Sequence, residues 1–161
     1  MREYTVTGAN ITVANQAVTL VVINPVAGTA IEILRCWVSQ HANATSAQQR
    51  VLLGLKATVF QTVTGATPGK TKSGDPISGI VSGVAGAAGT CGINASAEGA
   101  GGLTTIIPDA FNVLNGYLWV PTPRETIIVR AADSLAFTLQ FPAAPTTLTG
   151  WNFGVTFAEL G

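Results

Sequence analysis

From Ser134 to Phe141, and again from Trp151 to Phe157, apolar and small or polar residues alternate one for one. In the first stretch Leu135, Phe137, Leu139 and Phe141 fall on one side, with Ala136, Thr138 and Gln140 on the other. In the second, Trp151, Phe153, Val155 and Phe157 oppose Asn152, Gly154 and Thr156. Successive side chains of a strand point to opposite faces, so a period of two sorts these residues onto the two faces of a sheet. A helix would scatter the same residues around its circumference. Each stretch is therefore expected to be a wall strand with one buried face and one wet face.

The rest of the chain carries the same signal. Ala17–Ile23 is a β-branched run that stops at Asn24-Pro25, and Thr29–Ser39 is rich in Ile, Val and Trp. Arg50–Val63 reads as one long strand with Val51, Leu53, Leu55, Ala57 and Val59 on a common face. Thr126–Arg130 is a further strand. Phe111–Leu114 and Tyr117–Val120 flank Asn115-Gly116, a dipeptide suited to a type I′ hairpin turn. Only Ala44–Arg50 offers one or two turns of helix. Eight or nine strands joined by Pro, Gly and Asn loops predict an all-β, antiparallel β-sandwich, with the jelly roll as the leading architecture.

The 161 residues fit one domain with its own core. Residues 1–16 are expected to form an N-terminal arm or edge strand, and residues 17–161 a single sandwich. Residues 65–102 interrupt it: they are rich in Gly and Ala and poor in large side chains. That stretch reads as a long insertion, ordered by contact with neighbouring subunits. Its removal between residues 70 and 95 is expected to leave a folded β domain that assembles poorly.

Charge narrows the choice of partner. Only 10% of residues are charged, eight basic against eight acidic, where soluble domains average about 25%. A net charge of zero gives no drive toward nucleic acid or an anionic membrane. Such a surface favours self-association. The charge-free spans cover the strand near residue 20 and the Gly-rich stretch near residue 85. Val18, Leu20, Val22, Ile80, Val84 and Ile93 are therefore the candidate oligomer or shell contacts. Met1-Arg2-Glu3-Tyr4 is not followed by an apolar signal core, so export by that route is not expected, and Cys36 and Cys91 are expected to be free thiols.

Chemistry-bearing motifs are few. Gly65-Ala-Thr-Pro-Gly69-Lys70-Thr71 imitates a phosphate-binding loop, but its first glycine sits one position too close. Pro68 removes an amide donor, and Lys72-Ser-Gly-Asp-Pro76 cannot begin the helix the motif needs. His41 is the only histidine, which excludes a two-His metal site. No Gly-x-Ser-x-Gly elbow occurs, and the carboxylates are scattered without a spacing that singles out a pair. Neither an enzyme nor a cofactor is expected. Tyr117 and Trp119 share a strand face and form the candidate exposed aromatic pair. They support an alternative reading, a carbohydrate- or host-surface-binding module of a tail or fibre.

Four segments carry a resemblance: Ile31-Glu-Ile-Leu-Arg35-Cys-Trp37-Val-Ser-Gln40, Gly92-Ile-Asn-Ala-Ser-Ala-Glu98-Gly, Leu114-Asn-Gly-Tyr-Leu-Trp-Val-Pro121 and Leu148-Thr-Gly-Trp151-Asn-Phe-Gly154. Over roughly residues 17–159 the chain resembles small structural proteins of tailed bacteriophages and their prophages, the head-decoration and accessory capsid group. That resemblance implies a β-sandwich or jelly roll that forms a homotrimer and cements an assembled shell. It implies the major capsid protein or another virion protein as partner, and the virion, assembled in the host cytoplasm, as location. It attaches no catalytic residue.

Overall fold

The computed structural model describes residues 1–58, 60–83 and 87–161. In chain order its strands are β1 (Arg2–Ile11), β2 (Val18–Ile23), β3 (Ala30–Gln40), β4 (Gln48–Ala57), β5 (Thr62–Gly65), β6 (Gly69–Lys70), β7 (Val81–Ser82), β8 (Thr90–Ala97), β9 (Leu103–Asn112), β10 (Tyr117–Trp119), β11 (Ile127–Arg130), β12 (Leu135–Phe141) and β13 (Trp151–Leu160). Apart from a single 3-10 turn at Ala131–Asp133, the described residues contain no helix.

The strands form two sheets. The first runs β10-β3-β13-β1-β6, with β11 also paired to β3. The second runs β5-β8-β2-β12-β4-β9, with β7 also paired to β8. All pairings are antiparallel except β7 with β8. The inner faces supply one core: Tyr4, Val6, Ile31, Ile33, Val38, Phe153, Val155 and Phe157 from the first sheet, and Leu20, Leu53, Phe137, Leu139 and Phe141 from the second. The fold is the all-β sandwich that the alternation predicts.

The two clean alternators are drier than expected. In β12 the polar face is also covered: Thr138 is fully buried and Gln140 nearly so. The strand lies between β2 and β4, and segments outside the sheet fold over this face. Gln61 is fully buried and donates its side-chain amide to Thr19 Oγ1 at 3.0 Å. The Lys56 ammonium reaches the Gly99 carbonyl at 3.0 Å. In β13 the second face carries Gly154, Thr156 and Ala158, all buried.

The expected long strand over residues 50–63 is two strands. Thr58 takes φ +61°, a left-handed backbone that a β-branched residue rarely adopts, and pairing stops there. β4 pairs with β12 and β9, whereas β5 sits at the far edge beside β8. Val59 lies outside the described residues. Residues 44–47 form no helix, and β4 begins at Gln48. The Asn115-Gly116 turn does not close a hairpin either. Phe111 belongs to β9 in the second sheet and Tyr117 to β10 in the first, so the turn carries the chain between sheets.

Residues 1–16 are tied into the sandwich. β1 pairs with β13 from Arg2↔Glu159 to Ile11↔Trp151, and Tyr4 and Thr5 also pair with β6. The Gly-rich stretch is likewise structural where it is described. β8 is an inner strand of the second sheet, and Ile80, Cys91 and Ala95 are core residues. Small residues permit this: a Cβ on Gly92 would lie 2.3 Å from Val63 Cγ2 and 2.8 Å from the Thr64 carbonyl oxygen. Polar contacts pin the rest. Ser78 Oγ and the Gly79 amide donate to Glu159 Oε1 at 2.5 and 2.9 Å, and Tyr4 donates to the Pro76 carbonyl at 3.1 Å. Loss of residues 70–95 would therefore remove core residues together with most of β8, which runs against the expectation of a dispensable insertion.

Candidate functional site

One side of the sandwich stays open. There β9, an edge of the second sheet, faces β10 and β11, which share an edge of the first. Between them lies a groove of about 530 Å³ lined by Leu55, Ile106, Ile107, Trp119, Glu125, Thr126, Ile127 and Ile128. A β-bulge helps build it. Leu53 pairs with Ile107 and Gly54 with Thr105, so Ile106 is the extra residue. A bulge re-aims side chains, and Ile106 and Ile107 both line the groove.

The walls of the groove are partly uncovered: Ile106 is 40% exposed and Ile128 51%. On the opposite face of β10 from groove-lining Trp119, Leu118 is exposed as well. Along β9 only Phe111 is buried, with Ile107 and Asn112 half-buried. Edge strands usually carry charge or proline to block pairing with other chains. β9 carries both at Pro108 and Asp109, but Leu103–Ile107 has neither. Glu125 lies at the groove, and its carboxylate accepts from the Thr122 hydroxyl at 2.8 Å.

The residues singled out by sequence fall elsewhere. Val18, Leu20 and Val22 are fully buried in β2, between β8 and β12, and Ile80 is core as well. Their apolar, two-sided pattern comes from a strand covered on both faces by its own chain, so they present no surface to a partner. Ile93 is half-buried, pairs with Val21 and Thr64, and packs against the core. Val84 lies outside the described residues.

The aromatic pair does not hold. Tyr117 is buried in a cluster with Phe111 at 5.8 Å between ring centroids, and Phe111 meets Trp151 edge-on at 6.4 Å. Burial, followed by the charge of Asp109, drives its phenol well above the usual range. Trp119 is half-buried and lines the groove. Sequence reasoning missed Ile106 and Ile128. The signal for Ile128 was present: it stands between Ile127 and Val129 in one apolar run, and a strand must turn it to the face opposite theirs.

The remaining motifs resolve simply. Gly69-Lys70 is a short strand against β1, and Lys70 donates to the Ser73 carbonyl at 3.2 Å. His41 Nδ1 lies 3.1 Å from Asn152 Nδ2 on the exposed surface. Among the described residues no three of His, Cys, Asp and Glu come together to hold a metal ion. No family model, curated protein or solved structure matches the chain.

Proposed function

We propose that this protein is a non-enzymatic virion structural protein, a jelly-roll-like decoration or cement subunit that self-associates and binds an assembled shell. The observation that carries the reading is the open groove with exposed Ile106 and Ile128 on its walls. Exposed apolar area of this kind on a sandwich edge marks an interaction surface. The scarcity of charge supports it, because nothing repels a second copy. The occupant of the groove is an apolar segment of a neighbouring subunit. The rest of the outer surface is available to the shell, which such a protein stabilises by binding the assembled state in preference to free subunits.

The test has two arms. Sedimentation of the purified chain should give a trimer, and Ile106→Asp with Ile128→Asp should give a folded monomer. Peptides of the chain should also be recovered from gradient-purified particles encoded beside it. A wild-type monomer that is absent from those particles refutes the proposal.

A further inference from the structure

The outward face of the first sheet carries a second arrangement, independent of the groove. In β3 the register against β13 skips one residue: Thr156 pairs with Arg35 and Phe157 with Ile33. The extra residue, Leu34, lets Ile33 and Cys36 both point into the core although they are three apart. It also turns Arg35 and Trp37 outward together. A bulge used in this way re-aims side chains at the cost of one unpaired position.

Trp37 then lies against Gly154, its pairing partner in β13. A Cβ on Gly154 would fall 2.2 Å from Trp37 Cζ2, 2.5 Å from Cη2 and 2.8 Å from Cε2. Approach in the ring plane would leave the two flanking atoms about equally far, near 3.1 Å; approach through the face brings them to about 2.6 Å, by bond geometry alone. The recorded distances fit the face. The indole therefore lies flat on the sheet, in space that only a glycine leaves open.

On this platform sits Arg35, with its guanidinium carbon 4.8 Å from the Trp37 ring centroid. Stacking of this kind holds a guanidinium in place while leaving its N–H fork free. Among the described residues Arg35 has no carboxylate partner. Around the stack stand exposed Leu118, paired opposite Trp37, exposed Thr7, paired with Gly154, and exposed Ser39. Thr5 and Thr156 add a hydroxyl pair at 3.1 Å in the Arg35 row.

We propose that this face binds a saccharide bearing one carboxylate, of the hexuronic acid type. The carboxylate takes the Arg35 fork in a bidentate pair. The C–H face of the sugar ring rests on the indole and Leu118, and the ring hydroxyls meet Thr7 and Ser39. A polyanion fits less well. Glu32 on β3 adds a negative charge in the next rows, and the Lys72 ammonium is taken up by Glu3 at 3.3 Å. Nucleic acid binding would need several clustered cations.

The test uses the whole chain and a matched pair of probes, methyl β-glucuronide and methyl β-glucoside, with sodium acetate as a third. Two-dimensional NMR follows the Trp37 indole N–H and the Arg35 Nε–H. The glucuronide should shift both signals and bind roughly tenfold more tightly than the glucoside. Arg35→Gln, which leaves the platform in place, should abolish that preference, and Thr7→Ala should weaken binding of both sugars. Equal affinity for the two sugars, no shift of the Trp37 signal, or a shift that acetate reproduces fully would overturn the proposal. Because the oligomer is read by sedimentation, this outcome is separable from failure of the assembly reading.

Discussion

Glu98 grips Thr19 with both carboxylate oxygens: the Thr19 amide donates to Oε1 at 2.5 Å and the Thr19 hydroxyl to Oε2 at 2.6 Å. Thr19 is fully buried, and its hydroxyl oxygen also accepts from Gln61. One charged side chain thus fastens the end of the Gly-rich stretch to a central strand 79 residues earlier in the chain. Hydrogen bonds to a charged group contribute about 1.5–3 kcal/mol each, and a buried donor left without an acceptor adds its own penalty. Glu98→Ala should lower stability by about 2–4 kcal/mol in urea unfolding. Thr19→Val keeps the amide bond to Oε1 but leaves the buried Gln61 amide without its acceptor, so it should also destabilise, by about 1–3 kcal/mol.

Removal of residues 70–95 should abolish the fold. The deletion takes most of β8 from between β2 and β5, and Ile80, Cys91 and Ala95 from the core. Far-ultraviolet circular dichroism of the deleted chain should show loss of the β signal. A retained β spectrum with cooperative unfolding would return the stretch to the status of an insertion.

Gly154→Ala should destabilise the sandwich locally. The added methyl meets the Trp37 ring face at 2.2 Å, and the indole must leave the sheet. Overpacking of this kind typically costs about 1–3 kcal/mol. The accompanying readout is Trp37 itself, which should become more accessible to acrylamide quenching when Trp119 and Trp151 are replaced by Phe.

The thiols should stay silent at neutral pH. Cys36 is fully buried and its thiol is pushed well up by burial. Burial raises Cys91 from 9.0 to about 12, and its thiol donates to the Ala66 carbonyl at 2.7 Å. A thiol-disulfide reagent at pH 8 should label neither in the native state and both in urea. The folded state holds these protons more tightly than the unfolded chain. The Cys91 contribution is therefore intact below pH 9.0 and is lost as pH rises toward about 12, by at most about 1.4 kcal/mol per pH unit, and Cys36 acts in the same direction. Urea midpoints measured at pH 8, 9 and 10 should fall with that sign.

The strands β12 and β13 were legible because the hydrophobic period acts locally, and no distant contact is needed to read it. Burial of β2 was legible too, but its cause was not. A doubly apolar strand looks the same whether its own chain or a second subunit covers it, and topology alone decided for β8 and β12. Asn115-Gly116 was misread because a turn dipeptide fixes the local backbone, not the sheet to which the next strand belongs. That error misplaced Tyr117, which enters the aromatic cluster from the opposite sheet. The Gly-rich stretch was misjudged on side-chain size, although Gly92 contributes by having no side chain where Val63 packs. The open groove could not be read at all, since its walls come from β4, β9, β10 and β11 and meet only in the folded chain.

The most direct test of the assembly reading is the molar mass of the purified chain by sedimentation equilibrium, before and after charge is placed on the open side. The protomer is 16.5 kDa. The wild type should sediment at three times that mass, and the Ile106→Asp, Ile128→Asp double variant at one protomer mass with an unchanged β spectrum, since both side chains are exposed in the single chain. A wild-type chain that sediments as a monomer at every concentration, or a double variant that remains trimeric, would contradict the claim that this side is where subunits meet.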